Sequence, residues 1–372
     1  MNIILKIQKG KTCKQGIHDG CLSQLEILMR LEADAELYYV DYGEGIQAEI
    51  RHTPWRDDFI LIDELVLKLL KGEHYQFKKN QAKNGASYLI SSKGRKYFQR
   101  FMICFEYFSS FNEKKKPSHL VELYFRALGI IIQRIEEGGI YKDPEVIFNE
   151  FIDEILVQTK TKEFKTQAYR LAARATQNFN SARKYVDGLF DHYSKLNVIR
   201  IDQAYGARFA SDITAEGARA DLQRFFNNRR SNKLFKNWVG YIAKLEYGVD
   251  HGYHWHLIIF LDGQKVKHDS YVAHEIGRYW QTTVTENKGL FFNCNAKAFE
   301  NRRYAYKRIG IGMINHDDVN KRHILVHDVI AYLCKKEQHL KTPTNDRVFS
   351  KGEQPRHKSA AGRPRKQILK GN

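Results

Sequence analysis

The chain of 372 residues has no apolar run approaching the length of a membrane span. Its opening, Met1-Asn-Ile-Ile-Leu-Lys6, is too short and too soon interrupted for a secretory signal, so the expectation is a cytoplasmic protein with no membrane partner. Cysteine is scarce and odd in number: Cys13, Cys21, Cys104, Cys294 and Cys334 are scattered, which fits reduced thiols better than a disulfide framework. Cys13, His18 and Cys21 suggest half a zinc site, yet no fourth ligand follows them. Gly10-Lys11-Thr12 looks like the end of a phosphate loop, but Leu5 stands where the spacing demands glycine, so the motif fails and no built-in helicase or ATPase motor is visible. Acidic residues are outnumbered, 43 against 61 Lys and Arg, for a formal net charge of +18. Such an excess predicts a polyanionic partner, with nucleic acid first.

The most informative stretch is Gly240 to Phe260. Two β-type runs, Trp238 to Tyr247 and Tyr253 to Leu261, flank a turn with Gly248, Asp250 and Gly252, the punctuation of an antiparallel hairpin. Side chains alternate faces along a strand, so His254 and His256 project together and Trp255 goes to the other side. If Glu246 pairs with His254, one face collects Lys244, Glu246, His254 and His256, and the other Ala243, Leu245, Trp255 and Leu257. A shift of one residue would mix the polar and apolar faces. The expected ligand set is Glu246, His254 and His256, and two imidazoles with one carboxylate suit Mn²⁺ or Mg²⁺ with open positions.

A histidine-hydrophobic-histidine strand resembles the metal motif of the HUH endonucleases. More specific words follow in order: Asn197-Val-Ile-Arg-Ile-Asp202, Arg224-Phe-Phe-Asn-Asn-Arg229, Lys244-Leu-Glu-Tyr-Gly248, Gly252-Tyr-His-Trp-His256, Phe292-Asn-Cys-Asn295, Gly310-Ile-Gly-Met-Ile314, Tyr332-Leu-Cys-Lys335 and Gly362-Arg-Pro-Arg365. Over roughly 196–366 the chain is similar to the inovirus gene II-type replication initiators, rolling-circle enzymes of the HUH superfamily. That resemblance implies site-specific nicking and joining of single-stranded DNA through a 5′-phosphotyrosine intermediate with a free 3′-hydroxyl. It covers nothing before about residue 190.

Periodicity divides the chain into an accessory region of unnamed activity at 1–115, a helical connecting region at 116–195, a catalytic domain at 196–340 and a basic, mobile tail at 341–372. The first region holds helix-like stretches at about 22–35 and 59–70. A charged linker, Glu113 to Pro117, precedes a helix that Ser118 caps and Gly138-Gly139 stops; further helices are expected from Pro144 to about Gln158 and from Lys162 to about Tyr193, the latter broken near Asn178 to Ser181.

In the catalytic region the order is a strand at Leu196 to Asp202, a helix capped by Thr214 and running to Arg229, the hairpin, a helix at about 270–282, an irregular segment, a strand at Gly310 to Asn315 and a helix at about 324–337. That β-α-β-β-α-β order predicts an α+β fold: an antiparallel sheet of split βαβ plan backed by helices, as in RRM and ferredoxin-like domains and HUH endonucleases.

Tyr332 is the nucleophile candidate. Lys335 or Lys336, three or four residues on, is expected to share its helix face and stabilise charge on the phosphate. Tyr304 and Tyr306, between hairpin and helix, are candidates for a second tyrosine, with packing or base stacking as the alternative. Asn293 and Asn295 are candidate DNA contacts; Trp280 would stack on a base if exposed, or else pack in the core. His323 and His327 lack the glutamate of a zinc-protease word and read as helix surface. In the tail, Arg363, Arg365 and Lys366 are candidate DNA contacts, and Gly362-Arg-Pro-Arg365 resembles an AT-hook core; a generic basic tail is the alternative.

The expected partners are single-stranded DNA and the origin duplex, with a host helicase as a further candidate. A non-catalytic nucleic-acid-binding regulator on the same fold, an RNA-binding module, a plasmid relaxase and a single-strand transposase stand as alternatives.

Overall fold

A helical core and a sheet core organise the residues that the structure, a computed structural model, describes: 38–41, 46–49, 54–82, 85–106, 108, 117–138, 143–229, 231–248, 252–296, 310–335, 342, 344 and 347–355. Outside them lie the Cys13, His18 and Cys21 group, the helix expected at 22–35, Tyr304, Tyr306, Lys336, Arg363, Arg365 and Lys366. No helix among the described residues is long and apolar enough to cross a membrane.

The helical core is built by α1 (Pro54–Leu70), α2 (Ser92–Glu106), α3 (His119–Gly138) and α4 (Pro144–Thr159). Phe59, Ile62, Val66 and Leu69 recur every three or four residues, so α1 turns one stripe inward, against Phe101, Tyr124, Phe148 and Phe151. Ser118 caps α3 as predicted, its Oγ accepting from Val121 N at 3.2 Å. Helices on both sides of the boundary expected at 115/116 share this one core.

One helix, α5 (Lys162–His192), joins the two cores. Phe164 at its start lies in the helical core, while Phe179, Ala182, Tyr185, Val186, Leu189 and Phe190 are buried towards its other end. The break expected near Asn178 to Ser181 does not occur. Asn180 and Ser181 point to solvent, and Phe179 and Ala182 keep the apolar spacing, so burial outweighs the weak helix propensity of the polar residues. The helix ends at His192, just before the boundary expected at 195/196, yet its second half packs on the sheet beyond that boundary, with the Tyr185 and Phe260 rings 6.3 Å apart.

The sheet elements are β1 (Lys195–Tyr205), α6 (Ala215–Asn228), β2 (Trp238–Gly248), β3 (Gly252–Asp262), α7 (Asp269–Tyr279, prolonged by a π-helical turn Trp280–Val284), β4 (Gly289–Asn293) and β5 (Gly312–Asn315). After them come α8, which runs Val319–Ile324, a π-helical turn Leu325–Ile330 and Ala331–Cys334, and finally β6 (Phe349–Lys351). The order across the sheet is β6-β2-β3-β1-β4, with β5 also on β1, and each neighbouring pair is antiparallel. The protein is thus a mixed helix and antiparallel-sheet, α+β, structure.

Alternation then sorts the side chains. Ile199, Ile201, Leu245, Trp255, Leu257 and Ile259 meet Leu222 and Phe225 of α6 and Ala273 and Ile276 of α7. Trp280 is fully buried in the same core, its Nε1 donating to Ala204 O at 3.3 Å, so it packs rather than stacks on DNA. The opposite face carries Arg200, Asp202, Lys244, Glu246, His254 and His256.

Three differences from the sequence reading bear on the site. First, the segment expected to be irregular holds β4, so β4 and β5 share one edge of β1 end to end. Second, α8 begins at Val319 and ends at Cys334, short of the expected 337; Lys335, with φ −55° and ψ 162°, has already left the helix. Third, the tail is not free from 341 onward: β6 pairs the outer edge of β2, Leu245 N donates to Val348 O at 2.8 Å, and Phe349 is buried.

Candidate metal centre

The hairpin register is the one the polarity predicts: Glu246 lies opposite His254, and Lys244 opposite His256. Two glycines make the hairpin possible. Gly252 starts β3 at φ +63°, where a side chain would be strained. Gly240 sits at an irregularity in the β2–β3 ladder, where a Cβ would collide with the Tyr185 hydroxyl.

Ligand atoms of Glu246, His254 and His256 all lie within 4.8 Å of one another, and this buried group could hold a metal ion. Glu246 Oε2 is 3.3 Å from His256 Nε2 and 3.9 Å from His254 Nε2. Both Nδ1 atoms are held from behind. His254 Nδ1 is 3.2 Å from Gly252 O, and a carbonyl can only accept, so the proton sits on Nδ1 and leaves Nε2 as a ligand. His256 Nδ1 is 2.8 Å from Asp202 Oδ1, the carboxylate–imidazole pairing that orients a metal-binding histidine. Glu246 Oε1, Glu246 Oε2 and His256 Nε2 are buried and make no hydrogen bond; Lys244 Nζ, 3.9 Å from Glu246 Oε1, balances charge without saturating these atoms, so they have room for a metal ion. The donor set therefore fits a divalent ion.

Electrostatics follow from this packing. Burial opposes the charge on Glu246, but His256, Lys335 and Lys244 outweigh it and hold the carboxyl well below its ordinary value. Asp202 is likewise held low against burial by Arg200 and His256. For His256, burial is overcome by Asp202 and Glu246, which push it up to about 10. His254 is pushed down by burial and by the positive His256.

Tyr332, on the last turn of α8, is brought beside this group. Its ring centroid is 5.8 Å from that of His256, and the side chain is buried. Two cations touch the ring: Lys335 Nζ is 3.4 Å and the Arg200 guanidinium carbon 5.1 Å from its centroid. Lys335 makes this contact not as a residue on the same helical face but because the chain turns out of the helix there. Lys244 Nζ, 3.4 Å from Lys335 O, ties that turn to the sheet.

The asparagines serve the fold. Asn295, fully buried, fills the gap between β4 and β5: its Oδ1 accepts from Arg200 N at 2.9 Å and its Nδ2 donates to Val198 O at 3.0 Å. Asn293 Nδ2 donates to Ser270 O at 2.9 Å, and its Oδ1 accepts from Asn295 N at 2.9 Å. As placed, Asn295 has no atom to offer DNA. His323 is on the helix surface as expected, its ring stacked on that of His327 at 4.3 Å.

Sequence reasoning missed Asp202 and Arg200 as site residues. Only half of the signal was present: they stand two apart on a strand whose other face carries Ile199 and Ile201, so both charges share one face, but the pairing that brings that face beside the hairpin is not local. Among known proteins, no family model, no curated protein and no solved structure matches this chain.

Proposed function

We propose that this protein is a replication initiator of a phage or mobile element, nicking and joining single-stranded DNA at a specific site. The observation that carries the proposal is the Tyr332 ring against His256 of the Glu246, His254 and His256 cluster. A phenol placed beside a divalent-ion site is the equipment for phosphodiester transfer. The strand order supports the same reading. β1 and β2 are parallel with β3 between them, and β3 and β4 are parallel with β1 between them, an interleaving that supports the split βαβ plan implied by the resemblance.

Mn²⁺ or Mg²⁺ held by Glu246, His254 and His256 would supply Lewis-acid polarisation of the scissile phosphodiester. Tyr332 Oη then forms the bond to phosphorus, the bond from phosphorus to the 3′-oxygen breaks, and the phenolic proton ends on the released 3′-hydroxyl. The product is a 5′-phosphotyrosine adduct with a 3′ end that primes synthesis. Lys335 and Arg200 bring positive charge to the ring and favour the phenolate character that attack requires. Asp202 keeps the His256 Nδ1–H in place while its other oxygen, 3.3 Å from Arg200 Nη2, fixes the guanidinium. The adduct conserves the phosphodiester energy, so joining needs no nucleotide triphosphate, in keeping with the failed phosphate loop.

Incubation with candidate origin single strands and Mn²⁺ tests the proposal. A covalent protein–DNA band that resists denaturant and disappears with chelator is expected. DNA binding without any such band under metal would leave a regulator on this fold.

A further inference from the structure

Between the two cores, α5 crosses about fourteen residues, 165–178, without burying one, a length of roughly 20 Å. A solvent-bridging helix of this kind is ordinarily laced with pairs of opposite charge. This one is not. Residues 164–186 contain Lys165, Arg170, Arg174, Arg183 and Lys184 and no Asp or Glu. Arg183 pairs with Asp187 at 3.9 Å, but Lys165, Arg170, Arg174 and Lys184 have no ion pair among the described residues.

Arg170 and Arg174 stand four apart on the exposed side, a like-charge spacing that costs an isolated helix a few tenths of a kcal/mol. The remaining exposed positions are Tyr169, 74 % exposed, with Ala173, Thr176, Gln177, Asn180 and Ser181. These are small side chains, hydroxyls and amides, the groups that accompany Lys and Arg on phosphate oxygens. Exposed Glu163 stands seven residues before Arg170 and so on the same side, but from 164 to 186 the exposed positions carry cations and no acid, a better match to a polyanion than to water.

We infer that the exposed side of α5 holds the phosphate backbone of duplex DNA, side-on, next to the site that acts on the single strand. The inference rests on the nicking function proposed above for the partner's identity. The occupant is duplex because a segment about 20 Å long, with cations along its length, lies along a stretch of duplex whose two strands together carry roughly a dozen charges, several of them on the side that faces the helix. Both ends of the helix are anchored in cores, so it cannot enter a groove end-on, and it reads no sequence.

The test compares the full chain with the triple variant Lys165→Gln, Arg170→Gln, Arg174→Gln, and with a charge-matched control, Lys233→Gln, Lys236→Gln, Lys267→Gln. Duplex affinity is measured across a salt series. The α5 variant is expected to bind less tightly, with the slope of log K against log salt shallower by about 0.9 for each phosphate that is no longer neutralised, and the control to keep the native slope. An unchanged slope in the α5 variant, equal weakening in both variants, or retention of the chain on anionic vesicles but not on duplex would overturn the inference. Adduct formation on a short single strand with Mn²⁺ is expected to be the same in all three proteins. If none forms adduct, the nicking function fails while the slopes still decide whether α5 holds duplex.

Discussion

Asp202 Oδ1 lies 2.8 Å from His256 Nδ1, and through this contact a strand outside the hairpin sets the orientation of a candidate metal ligand inside it. Asp202→Asn keeps the shape but removes the charge that holds the Nδ1 proton and pairs with Arg200. Mn²⁺ affinity should fall about 10–100-fold, the usual effect of removing the partner of a ligating histidine. An electron-paramagnetic-resonance titration of free Mn²⁺ reads it directly, and unchanged affinity would mean that Asp202 serves only the fold.

Metal binding should release one proton. With His256 pushed up to about 10 by Asp202 and Glu246 against its burial, the imidazole carries a proton at neutral pH that an ion must displace. His254, pushed down, and Glu246, held low, have none to give. Affinity should therefore rise with pH between about 6.5 and 8.5, by close to one log unit per pH unit. Titration calorimetry in buffers of different ionisation enthalpy counts the protons, and a count of zero would show that His256 is already neutral before the ion binds.

Asn295→Ala should destabilise the protein without weakening DNA binding. The change strips Arg200 N and Val198 O of their partners, at about 1–3 kcal/mol for each unsatisfied buried group. Denaturant unfolding measures the effect. Native stability combined with weakened DNA binding would restore Asn295 as a DNA contact.

Two truncations separate the end of the chain into a structural strap and a tail. Removing 356–372 should leave stability intact and make the salt dependence of DNA binding shallower. Removing 347–372 should in addition destabilise the sheet, because it uncovers the outer edge of β2 where Leu245 N meets Val348 O. Equal stability in the two proteins would mean that β6 adds nothing to the sheet.

The convergence of Glu246, His254 and His256 was legible because a hairpin is local: one turn and a period of two fix which residues face each other, and the three lie within eleven consecutive positions. Its word and its order in the chain singled out Tyr332, which the structure places beside that group. Asp202 and Arg200 were not, since their roles depend on β1 pairing with β3 across more than fifty residues, and no local pattern states which strands become neighbours. The π-helical turn at Leu325–Ile330 shifts the spacing on which a helical face is read, and the helix ends before Lys335. A regular helix therefore described the Tyr332 and Lys335 contact by the wrong geometry. β4 and β6, at five and three residues, are too short for alternation to register.

The central claim is that Tyr332 is the residue that takes the DNA strand. Tyr332→Phe removes one oxygen and keeps the ring that packs against His256, Arg200 and Lys335, so stability and Mn²⁺ affinity should stay native while adduct formation vanishes. The deciding measurement is peptide mapping of the adduct formed by the unaltered protein on an origin single strand with Mn²⁺. The account predicts the nucleotide on the peptide that contains Tyr332; a nucleotide on Tyr304 or Tyr306, with Tyr332→Phe still forming the first adduct, would contradict it.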